Sequence, residues 1–133
     1  MTKVKICGLT TRETVVACVK FQASFIGFVA YSKSPRHCHP QQFADLAMNA
    51  GKVPTVLVTV NASDALLSDY MDAYRPTYVQ CHGEESVTRL NEIRSRNVKI
   101  IKALGIAEGG DLQKISEFEK AADILLLDAK PVV

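Results

Sequence analysis

Strand-like apolar runs alternate with helix-like segments along the whole chain, and this alternation constrains the fold more than any other feature. The runs begin near Lys3 (KVKIC), Phe25 (FIGFVAY), Val53 (VPTVLVTV), Tyr78 (YVQCH), Val98 (VKIIKAL) and Ala122 (ADILLLD). Their starts are roughly 20–28 residues apart, a spacing that fits βα units around a parallel sheet. The intervening segments are TRETVVACVKFQA, PQQFADLAMNA, ASDALLSDYMDAY, EESVTRLNEIRSR and GDLQKISEFEK. Thr10 followed by Glu13 fits a capping box, Pro40 suits a first helical position, and Asp111 suits a cap of the last helix. Gly109-Gly110 reads as a turn. Right-handed crossovers place each strand beside its predecessor, which leaves an open doubly wound sheet or a barrel.

The remaining composition narrows function by exclusion. A chain of 133 residues suits a single domain, 1–133. Sixteen basic and 14 acidic residues are interspersed for a net charge of +2. No basic stripe points to nucleic acid, and no apolar run is long enough to span a bilayer. Met1 to Lys5 shows no signal pattern, so the cytoplasm is the expected location. Cys7, Cys18, Cys38 and Cys81 include no CxxC pair and read as free thiols. The run His37-Cys38-His39 does not have the spacing that converges on one ion, so no metal site is expected. There is no GxGxxG after a strand and no P-loop.

Alternation of side chains along a strand sorts the candidate site residues. Lys3, Lys5 and Cys7 share one face of the first run; Gln80 and His82 share one face of the fourth. Ile100 and Lys102 share a face of the fifth, and Ile124, Leu126 and Asp128 share a face of the sixth. In parallel α/β folds ligands bind at the C-terminal strand ends. Cys7, Asn61, His82, Lys102 and Asp128 are therefore expected around one mouth, with Arg36 in the loop after the second strand.

These residues carry a resemblance. KICGLT (5–10), FIGFVAYSKSPR (25–36), VNAS (60–63), VQCHGEE (79–85), IKALGI (101–106) and LLLDAKP (125–131) resemble, in order, the signature segments of phosphoribosylanthranilate isomerases. Cys81 departs from the larger apolar residue usual at its place. The resemblance implies an aldose–ketose isomerase (an intramolecular oxidoreductase) of tryptophan biosynthesis that works without cofactor or metal. The implied reaction is the Amadori rearrangement of N-(5-phosphoribosyl)anthranilate to 1-(o-carboxyphenylamino)-1-deoxyribulose 5-phosphate. By matching motifs, Cys7 is the general base, Asp128 the general acid and Arg36 the anchor of the anthranilate carboxylate. His82, Gln80, Lys102 and Lys5 are the further substrate-binding candidates.

The same resemblance sets the expected architecture. A complete (β/α)8 TIM barrel takes at least ~200 residues, and this chain stops just past its sixth strand. The expectation is an incomplete barrel, its N-terminal three-quarters, with about six parallel strands and five helices and no closure by this chain alone. Exposed strand edges would then permit self-association. The glycine-rich loops that hold the substrate phosphate in this family would lie beyond the sixth strand. The alternative is therefore a non-catalytic truncated remnant or an interaction module.

Overall fold

The computed structural model describes residues 1–130. Six strands, β1 (Lys5–Ile6), β2 (Phe25–Val29), β3 (Thr55–Thr59), β4 (Tyr78–Cys81), β5 (Lys99–Ile106) and β6 (Ile124–Ala129), alternate with five helices. The helices are α1 (Arg12–Lys20), α2 (Pro40–Ala47), α3 (Asp64–Ala73), α4 (Val87–Arg94) and α5 (Gln113–Phe118). The strands form one sheet in the order β1-β2-β3-β4-β5-β6, and every pairing is parallel. A doubly wound sheet reverses its strand order midway; this one does not. Sequential order with right-handed crossovers keeps all the helices on one side and curls the sheet into part of a barrel.

Local chemistry explains where the helices begin. Thr11, Ser63 and Ser86 each accept a bond from the backbone amide three residues on and cap α1, α3 and α4. The cap of α1 is thus Thr11, one residue later than the Thr10–Glu13 capping box the sequence suggests. Thr14 is the reason: its hydroxyl bonds Thr11 as its amide does, an alternative local pairing that moves the start. Pro40 occupies the first turn of α2, where its missing N–H is no loss. Asp111 sits in a short 3-10 turn, Gly109–Leu112, and accepts the amide of Ala107 at 2.9 Å.

Both faces of the sheet are apolar, as in a barrel wall. Val29, Val56, Val58 and Ile101 fill the concave interior, with Cys7, Tyr78, Ile124 and Leu126 packed against them. Outside, Ile26, Phe28 and Leu57 meet α1 and α2 in one cluster, while Val79, Ile100 and Leu104 meet α4 and α5 in another. Among the described residues β1 and β6 each pair with one strand only. Val4, Ile6 and Leu127 at those margins are exposed, as is Phe21 after α1. No described helix is long and apolar enough to cross a membrane.

Candidate active site

The C-terminal strand ends surround a cleft of about 330 Å³ on the concave side. Lys5, Cys7, Arg36, Gln80, His82 and Asp128 line it, above an apolar floor that includes Val29, Val58 and Leu126. Six of the eight residues expected at the site or its mouth are therefore brought together, all but Asn61 and Lys102. Cys7 follows β1 and Asp128 belongs to β6, so the outermost strands deliver the two proton-transfer candidates to one space.

Two glycines make room for these side chains. A Cβ on Gly27 would lie 3.0 Å from Cys7 Sγ and 3.4 Å from Lys5 Cε, so the bare β2 backbone lets both side chains lie over it. Gly8 has φ +78°, a backbone region that favours glycine. A Cβ there would fall 2.6 Å from Arg36 Cζ. The guanidinium rests on this turn and donates from Nη1 to the Cys7 carbonyl at 3.2 Å. That bond ties Arg36 to the segment carrying the thiol and leaves the rest of its planar fork for a carboxylate.

On the other side of the cleft a chain of three polar groups runs along β4 and across to β6. Gln80 Nε2 lies 2.9 Å from His82 Nδ1. His82 Nε2 lies 3.2 Å from Asp128 Oδ2. Asp128 stands on Ile124 and Leu126, as expected, yet its side chain is 53% exposed and its bonding partner is His82. The sequence placed Gln80 and His82 on one face but gave no sign of a bond across 46 positions.

Lys102 does not reach this cleft. Parallel register explains why: Gln80 pairs with Ile101 and faces the interior, whereas Cys81 pairs with Lys102 and faces the helices. Lys102 shares the outer face with Ile100 and Leu104, so the expectation that it joins the mouth is corrected. Its Nζ bonds Glu85 Oε1 at 2.9 Å and donates to the carbonyls of Gly83 (2.7 Å) and Cys81 (3.4 Å). Asn61 also leaves the mouth. It adopts φ +48°, and its Oδ1 accepts the Glu84 amide while its own amide donates to Glu85. Glu85, unforeseen in the sequence, is the hub of this network; the only signal was its place just after His82-Gly83 in QCHGEE.

The other polar candidates are structural. His37 Nε2 bonds the Tyr70 hydroxyl at 3.1 Å, and that hydroxyl donates to the Cys38 carbonyl. Burial, then the neighbouring His39, lowers the pKa of His37. Burial raises the thiol of Cys38 and pushes that of Cys81 up to about 12, with Glu85 adding to the latter. Both are poor nucleophiles. Cys7 instead lines the cleft, half-buried.

Comparison with known proteins agrees with this fold. A family model described as N-(5'phosphoribosyl)anthranilate (PRA) isomerase matches residues 4–132. A relative of that name from Parvibaculum lavamentivorans is 42% identical over 131 residues, 97% of this chain and 61% of the relative. A second, from Beijerinckia indica, is 43% identical over 134 residues, 96% of this chain and 59% of the relative. The chain thus spans about three-fifths of the length of these curated relatives. The crystal structure of the Thermotoga maritima phosphoribosyl anthranilate isomerase superposes with a TM-score of 0.90 at 30% identity, covering 99% of this chain and 63% of that one. A phosphoribosyl anthranilate isomerase in complex with reduced 1-(o-carboxyphenylamino)-1-deoxyribulose 5-phosphate gives 0.88 at 30% identity, covering 98% and 66%. Strand order and sequence agree: the chain belongs to the N-(5'-phosphoribosyl)anthranilate isomerase family.

Proposed function

We propose that this chain carries the proton-transfer site of an isomerase that converts N-(5-phosphoribosyl)anthranilate to 1-(o-carboxyphenylamino)-1-deoxyribulose 5-phosphate in tryptophan biosynthesis. One observation supports this above the others: Cys7 and Asp128, from the first and sixth strands, line one cleft with Arg36 beside them. Asp128 gives its proton to the furanose ring oxygen as the bond from that oxygen to C1 breaks, and the amine lone pair forms the C1=N iminium. Cys7 thiolate takes the proton from C2, and the electron pair of that C–H bond becomes the C1=C2 bond of an enolamine. Tautomerisation, with a proton returned to C1 and the C2 hydroxyl proton lost, yields the ketone. Arg36 holds the anthranilate carboxylate, and Lys5 adds positive charge beside the thiolate and the anionic substrate.

Turnover of phosphoribosylanthranilate, followed by loss of its fluorescence, tests the reading. Activity that falls about 10²–10⁴-fold in Cys7→Ala supports it; equal rates in the two proteins refute the assignment of the base. A second reading is favoured by the exposed apolar side chains of Val4, Ile6, Phe21 and Leu127 at the sheet margins. In it the chain is a non-catalytic interaction module that pairs through its open strand edges. Sedimentation velocity separates the two: a monomer at all concentrations with turnover leaves only the enzyme.

A further inference from the structure

Gln80 is an expensive residue for its position. It lies on the concave face of β4, beside Val58 and Ile101 in register, and is 2% exposed. Its Oε1 is buried and has no hydrogen-bond partner among the described residues. A buried amide with one atom unpaired costs stability, and an aliphatic side chain of the same length does not carry that cost. The other amide atom makes a single bond, to His82 Nδ1. The single bond to His82 is therefore what the amide supplies.

His82 is held on its other sides as well. Lys102 Nζ bonds the carbonyls of Cys81 and Gly83, on either side of it in the chain. Glu85 accepts the Gly83 amide at 2.9 Å. With its backbone held and Nδ1 engaged, the ring presents Nε2 to Asp128 Oδ2. With the acid proton of Asp128 on Oδ1, Oδ2 can only accept, so Nε2 carries the hydrogen and Nδ1 carries the lone pair that the Gln80 amide N–H satisfies. Oδ2 is thus occupied, and Oδ1 is left to carry a proton toward a ligand in the cleft.

We propose that Gln80 and His82 are positioning residues for Asp128. Gln80 braces the His82 ring, and His82 occupies Oδ2 so that Asp128 donates its proton from Oδ1 and leaves a carboxylate that already has a hydrogen-bond donor. This deepens the isomerase reading and rests on Asp128 as its acid. It assigns the two residues a task other than direct contact with substrate.

The test is Gln80→Leu, with Gln80→Met as the second variant in case one packs badly. Three outcomes are expected. The thermal midpoint stays level or rises. The side-chain carboxyl ¹³C resonance of Asp128 moves in the substrate-free protein, although residue 80 makes no contact with it. Turnover number falls about 3–10-fold, the loss of one hydrogen bond between neutral groups, while KM stays within about twofold. An unmoved Asp128 resonance in both variants overturns the proposal, and so does a rise in KM at unchanged turnover number, which would mark Gln80 as a substrate contact. The resonance needs no activity. If the unaltered chain fails to turn over substrate, the isomerase reading fails while the coupling of Gln80 to Asp128 is still decided.

Discussion

The middle of the sheet and its two outer strands treat charge in opposite ways. Between β3 and β5, the Glu85 and Lys102 side chains are 2% and 3% exposed and meet each other at 2.9 Å. Every further bond they make is to backbone, at Asn61, Cys81 and Gly83. At the outer strands, Asp128 is half exposed with His82 as its partner, and Lys5 forms no ion pair among the described residues. A charge whose bonding capacity is filled by the protein is a structural tie. One whose capacity is half filled is available to a ligand. The same fold therefore separates a locked polar centre from a reactive polar rim.

The largest effect that sharpens this contrast is on activity. Asp128→Asn should lower turnover about 10²–10⁴-fold and leave the denaturation midpoint nearly unmoved, because the carboxyl is half exposed. The reverse is expected in the middle of the sheet. Glu85→Ala or Lys102→Ala leaves a buried charge unpaired and should cost about 3–5 kcal/mol in urea denaturation. Replacing both with Gln and Met should cost less than either single change. If the single changes prove harmless, the locked centre is not a tie and the contrast collapses.

A smaller effect lies where the two regimes meet. Gly27→Ala puts a Cβ 3.0 Å from Cys7 Sγ, so the thiol must shift. Turnover should fall about tenfold, since displacements near 1 Å cost up to about 10²-fold, with little change in the unfolding midpoint. The smallest expected effect concerns Asp123, an intermediate case in exposure. Burial works against its charge, but the Ile100 amide and the Arg94 guanidinium outweigh it and hold the carboxyl below the usual carboxylate range. A depressed pKa contributes stability that is present above the unfolded value, about 3.9, and disappears as pH falls through the folded value. Asp123→Asn should therefore narrow the stability difference between pH 6 and pH 3, read as a shift in denaturation midpoint. An unchanged difference would show that the bonds of Asp123 do not favour its charged form.

Much of this was readable in the chain itself, where it depended on local periodicity. All five helices and four of the six strands lie inside the expected segments, and β5 and β6 run only to Ile106 and Ala129, just past theirs, because apolar repeat and spacing report burial directly. The cleft residues Lys5, Cys7, Gln80, His82 and Asp128 were readable for the same reason: each lies in phase with interior positions of its strand. Lys102 looks like a mouth residue because it is polar and near a strand end, but it is in phase with Leu104, which packs on the helices. The His82–Asp128 bond could not be read at all, and Glu85 showed only through its place in QCHGEE. They depend on which loop folds over which strand, information held in the curvature of the sheet. The cap of α1 moved by one residue for a subtler reason, since Thr10, Thr11 and Thr14 offer competing local bonds.

The strictly sequential strand order also bears on how the molecule comes into being. Each strand pairs with its predecessor, so every strand pairing joins residues roughly 20 to 29 positions apart and must close the intervening helical loop first. The cleft is the exception, since its two ends lie on β1 and β6. No intermediate lacking the sixth strand holds both Cys7 and Asp128 in place. Joining the two residues thus requires the full run of six strands, and a ligand that bridges them would report that the sheet had been laid down through its sixth strand.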